Sequence, residues 1–101
     1  MITDILKSRL TDSIKARDME RVALLRLLIS AINYKEVELR TQKIEMLDKH
    51  ILKTIQKEIK QRNDSIESYK AGNRQDLVDK ETTELKLLEE ILTEFSPHEE
   101  Q

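Results

Sequence analysis

Apolar residues recur along this chain at intervals of three and four rather than two, so the pattern predicts helices and no strands. Four segments carry it. Residues 4–17 set Ile5, Leu6, Leu10 and Ile14 on one amphipathic face, and the Thr3 hydroxyl is placed to cap the segment's start. Asp18 is expected to end this helix and cap the next, because its short side-chain acceptor competes with continued helix. Residues 19–39 hold Val22, Ala23, Leu24, Leu25, Leu27, Leu28, Ile29, Ala31 and Ile32, apolar around most of the circumference. Such a helix is buried on several sides and should be the one against which the others pack.

The pattern lapses over residues 40–47, which read as a connection. Leu47 ahead of a capping Asp48 is expected to pack on Leu52 as a hydrophobic staple. The third segment, residues 49–70, aligns Leu52, Ile55, Ile59, Ile66 and Tyr69 on one face and Lys49, Lys53, Lys57 and Lys60 on the other. Ala71-Gly72-Asn73 supplies residues that tolerate the left-handed conformation in which helices end. The fourth, residues 74–95, should bury Leu77, Val78, Leu85, Leu88, Ile91 and Leu92, and Pro97 follows it. Short connections between long amphipathic segments predict an all-α fold, a four-helix arrangement of two antiparallel hairpins over residues 1–95, with residues 96–101 as an acidic tail.

Composition supports this reading. A chain of 101 residues closes one modest core, and with a single glycine and a single proline it lacks the turn signals of an all-β architecture. The absence of cysteine excludes disulfides, thiolate nucleophiles and zinc–thiolate centres. The first residues mix acid and base and form no apolar signal region, and no run approaches the roughly 20 apolar residues of a membrane span. The chain therefore reads as cytoplasmic, without a membrane partner.

A formal net charge of −2 gives no global attraction to a polyanion. The charges are unevenly placed, however: between residues 49 and 62 Lys49, Lys53, Lys57, Lys60 and Arg62 face the single acid Glu58. That stretch offers a local basic surface.

Catalytic chemistry finds no footing. His50 and His98 have no neighbours in sequence that would orient them, and both read as solvated surface residues. One glycine makes no phosphate-cradling loop, and the Glu-x-x-His pair of carboxylate metal centres is missing. Glu81 with Glu84 and Glu89 with Glu90 read as solvated or salt-bridged. No catalytic residue, metal or cofactor is expected. Two arginines interrupt apolar faces: Arg26 among the leucines of the second segment, and Arg62 between Ile59 and Ile66. Either each lays its stem along the core edge and reaches a carboxylate such as Glu58, or one or both present a planar fork to a phosphate or a partner carboxylate.

Beyond these generic features lies a specific resemblance. Gln56-Lys57-Glu58-Ile59-Lys60-Gln61-Arg62-Asn63-Asp64-Ser65-Ile66-Glu67-Ser68-Tyr69, then Arg74-Gln75-Asp76-Leu77-Val78-Asp79-Lys80-Glu81, then Glu84-Leu85-Lys86-Leu87-Leu88-Glu89-Glu90-Ile91-Leu92 closely resembles the GatB/YqeY family. Ala16-Arg17-Asp18-Met19-Glu20-Arg21, Leu25-Arg26-Leu27-Leu28 and Glu36-Val37-Glu38 look like its first hairpin. The resemblance implies a stand-alone relative of the C-terminal tail of GatB, a component of the glutamine-dependent aspartyl/glutamyl-tRNA amidotransferase. In that enzyme the tail assists tRNA recognition, while the carbon–nitrogen ligase chemistry, with glutamine as amide donor, lies in a separate domain. The implied function is non-catalytic binding in tRNA or translation metabolism, with tRNA (weakly) or a translation-related protein as partner. The alternative is a protein–protein interaction module without RNA contact.

Three departures bear on this. Leu92-Thr93 stands where the family has Leu-Pro, and the small helical subdomain expected to follow has no trace in the sequence. Asn73 takes the place of a common glycine, and Asn33-Tyr34 that of Lys-Asn. The expected RNA-binding residues are Lys49, Lys53, Lys57, Lys60 and Arg62. Ile91, Leu92 and Phe95 continue the apolar row at the end of the fourth helix and are the expected partner surface, one that would support a weak homodimer.

Overall fold

The computed structural model describes residues 2–97, which form four helices: α1 (Ile2–Lys15), α2 (Met19–Thr41), α3 (Asp48–Ala71) and α4 (Gln75–Phe95). Among the described residues there is no strand, and the all-α expectation holds. His98 and the rest of the acidic tail beyond Pro97 lie outside them. Two compact units divide within α3, Met1–Thr54 and Ile55–Gln101.

In the first unit α1 packs on α2. The buried row of α1 is Ile2, Leu6 and Ser13, spaced four and seven residues apart and so on one face. Helical geometry reaches back to Ile2 to bring it one turn below Leu6, so Thr3 lies inside the helix and does not cap it. Ile5 and Ile14, expected inward, fall on the shoulders of this row and are exposed. Asp18 does cap α2, accepting from the Arg21 backbone N–H at 3.2 Å. The core face of α2 comprises Val22, Leu24, Leu25, Leu28, Ile29, Ile32 and Leu39. Its other face is not buried as the composition suggested: Met19, Ala23, Leu27, Tyr34 and Val37 are exposed.

Three helices end in the same way. Arg17, Lys43 and Asn73 adopt φ of 58°, 59° and 56°, and the next residue's N–H reaches back five residues, Asp18 to Ser13, Ile44 to Leu39 and Arg74 to Tyr69. This is the closing pattern that satisfies helix C-terminal carbonyls. Asn73 occupies the left-handed position beside Gly72, as its short polar side chain permits.

The start of α3 differs from expectation. Asp48 is its first helical residue, and the cap is Leu47, which is exposed and whose carbonyl accepts from His50 and Ile51. The Leu47 N–H in turn donates to His50 Nδ1 at 2.9 Å. A histidine here performs the reach-back of the glutamate in a capping box, which the neutral imidazole allows. We predict that His50→Ala lowers stability by about 1 kcal/mol, whereas His50→Glu retains most of it. Thermal melts of both variants check this, and an alanine variant melting with the wild type would contradict it.

In the second unit the remainder of α3 and α4 form an antiparallel hairpin about the residue 72–73 turn. Ile55 and Ile66 of α3 and Val78, Leu88 and Ile91 of α4 are buried. Ile59, Tyr69, Leu77, Leu85 and Leu92 are half-buried. Glu58 is buried as well, at 9% exposure.

Candidate functional site

The polar residues of α3 divide between two opposite sides. On the inner side Glu58 and Arg62 are one turn apart, and Glu81 and Glu84 of α4 approach from across the hairpin. Arg62 Nε lies 3.0 Å from Glu84 Oε2 and 3.4 Å from Glu81 Oε2, and its terminal nitrogen is 3.9 Å from Glu58 Oε1. The Arg62 side chain is 14% exposed, and those of Glu58, Glu81 and Glu84 are 11%, 16% and 22% exposed. Arg62 Nε and Glu81 Oε2 are closed off from solvent and form no aligned hydrogen bond, so these contacts hold by charge rather than by direction. Of the two readings left open for Arg62, the structure shows the carboxylate one, with three partners in place of one. Arg62 therefore stands apart from the lysines with which the sequence grouped it. Arg26 is exposed on α2.

On the outer side Lys49, Lys53, Lys57 and Lys60 are all exposed. At about 100° per residue they fall within a strip roughly 80° wide and about 16 Å long. Lys60 Nζ bonds Asp64 at 3.0 Å, a pair open to solvent. Lys49, Lys53 and Lys57 make no ion pair among the described residues. The strip ends in acid, since Asp64 and Glu67 occupy its next positions. Its charge is thus concentrated in the first three turns of α3.

At the start of α4, Arg74 Nε and a terminal nitrogen bond the two oxygens of Asp76 at 3.2 and 3.1 Å. These hydrogen bonds hold the Asp76 carboxyl below its ordinary range. The bridge helps the folded state at neutral pH and loses that effect as pH falls through the lowered value. It is solvent-exposed and a minor contribution.

The expected partner surface is largely closed: Ile91 is 6% exposed, and Leu92 and Phe95 are half-buried. Among the described residues no group of three His, Cys, Asp or Glu is arranged to hold a metal ion, and no helix is long and apolar enough to cross a membrane.

A profile of YqeY-like proteins matches residues 3–100. The chain belongs to the YqeY-like family. An uncharacterized protein of Schizosaccharomyces pombe is 29% identical over 92 residues, covering 91% of this chain and 72% of that protein. Altered inheritance of mitochondria protein 41, mitochondrial, is 37% identical over 89 residues in Kluyveromyces lactis, covering 87% of this chain, and 34% identical over 87 residues in Lachancea thermotolerans, covering 86%. The chain spans 46% of each of these two mitochondrial proteins. Within this YqeY-like chain, sequence reasoning found the lysine strip and Arg62 but missed two features. One is the pairing of Arg62 with Glu81 and Glu84, which needs the register of the α3–α4 hairpin. The other is the exposed face of α2, whose residues look like core until the burial direction is known.

Proposed function

We propose that this YqeY-like protein is a non-catalytic binding module that contacts the phosphate backbone of a folded RNA, tRNA by its resemblance to the amidotransferase tail. The observation that carries this reading is the strip of Lys49, Lys53, Lys57 and Lys60, four exposed ammonium groups at intervals of three and four residues, three of them without a carboxylate partner among the described residues. Lysine is a flexible point charge suited to phosphates and carries little sequence preference. With net charge −2, the protein binds through this local face alone. Affinity is accordingly modest and steeply dependent on salt. Arg62 has no part in it, because leaving Glu58, Glu81 and Glu84 would expose three carboxylates to one another.

The test is fluorescence anisotropy with labelled tRNA over a salt series. Changing Lys53, Lys57 and Lys60 together to Glu should weaken binding at least tenfold at low salt and reduce the slope of log K against log salt by about 2 to 3, as expected for three lost phosphate contacts. Unchanged affinity and slope in the triple variant would overturn this reading.

A further inference from the structure

The bond that closes the start of α3 also fixes which nitrogen of the His50 ring carries the proton. Nδ1 accepts from the Leu47 backbone N–H at 2.9 Å, and a neutral imidazole that accepts at one nitrogen donates at the other. Nε2 is therefore the N–H. That atom makes no hydrogen bond among the described residues and is not closed off from solvent, although the residue as a whole is half-buried. His50 thus holds an open donor in a fixed place.

The place is the border of the lysine strip. At about 100° per residue, His50 lies about 20° beyond the strip's edge at Lys57 and one turn ahead of Lys53, close enough for the two side chains to meet at one ligand. Lys49, His50 and Lys53 all belong to the first compact unit. Asp48, the acid at the start of α3, is about 160° around the helix from His50 and leaves its donor unopposed on that side.

We propose that His50 is a further phosphate-binding residue of this surface, its Nε2–H donating to an oxygen of the RNA phosphate whose charge Lys53 offsets. The proposal rests on the reading of α3 as an RNA-phosphate surface and adds direction to it. A lysine ammonium is a point charge on a flexible stem, whereas the ring, tethered at Nδ1, presents one donor along one line. Because folding has already ordered the ring, its contact loses little side-chain freedom on binding. A hydrogen bond from a neutral donor to a charged phosphate strengthens binding without releasing a counterion, so it raises affinity and leaves the salt slope alone.

Three substitutions separate the cap from the donor, each measured by tRNA anisotropy over a salt series in mildly alkaline buffer, with thermal melts confirming that every variant is folded. His50→Gln has an acceptor for Leu47 and a donor for phosphate, and should bind within about threefold of wild type. His50→Ala has neither, and should bind about tenfold more weakly with an unchanged salt slope, unlike the lysine variants. His50→Glu keeps the cap but replaces the donor by a negative charge, and should bind more weakly still while melting near wild type. Nitrogen NMR of the free chain, with the His50 signals assigned by difference from His50→Gln, should show Nε2 protonated and Nδ1 not. His50→Ala binding as wild type, His50→Gln binding as weakly as His50→Ala, or a proton on Nδ1 would overturn this inference, and would leave the lysine strip standing if the triple lysine variant still loses affinity. A wild type that binds no tRNA would overturn both.

Discussion

Replacing Arg62 with leucine should lower stability by about 3–5 kcal/mol, the range found when one member of a buried charge group is removed and the others stay. The cause is the three glutamates left behind. Glu58 is on the same helix, Glu81 and Glu84 come from α4, and all three side chains are at most 22% exposed, so water does little to screen their repulsion. In a chain of this size the change corresponds to a drop of at least about 12 °C in melting temperature. Arg62→Lys should recover only part of the loss, because one ammonium on a flexible stem cannot match the spread of a guanidinium among three carboxylates. Glu84→Gln should cost far less, since two carboxylates remain to balance Arg62. A leucine variant that melts with the wild type would show that the cluster is hydrated and energetically idle.

The second large effect separates two adjacent leucines. Leu28 is 0% exposed on the core side of α2 and Leu27 is 45% exposed on the opposite side. Leu28→Ala should cost about 3 kcal/mol through lost burial and the cavity left in the core. Leu27→Ala should stay within about 0.5 kcal/mol, as for an exposed substitution. Denaturant midpoints of the two variants measure the difference. Equal losses would mean that both sides of α2 are packed within the monomer.

Which features could be read from the sequence follows from their range. The helices are set by local periodicity, and the observed α2, α3 and α4 start within one residue of the segments read from it. Asp18 caps as expected because its acceptor and the amide it meets are three residues apart. Asn73 was legible for a similar reason, as its own side chain decides whether it tolerates a positive φ. The lysine strip was equally legible, since it follows from spacing along one helix.

What escaped depended on distance in sequence or on competition among similar residues. Several apolar rows on α1 are compatible with a helical period, and only packing on α2 chose Ile2, Leu6 and Ser13 over Ile5 and Ile14. Ile51 is buried although the face read from the sequence began at Leu52, a rotation of one position on the wheel. Leu47 caps α3 because His50 supplies an acceptor that a search for Ser, Thr, Asp or Asn passes over. Glu81 and Glu84 meet Arg62 across some twenty residues, a pairing that requires the register of a hairpin.

The central claim, that this YqeY-like protein binds RNA phosphates through the outer side of α3, is tested most directly by photocrosslinking the intact chain to tRNA at low salt and mapping the attached residues by mass spectrometry. The account predicts crosslinks concentrated between residues 49 and 60 and lost as salt is raised. Crosslinks concentrated on α2 or α4, or none at the lowest salt, would contradict it.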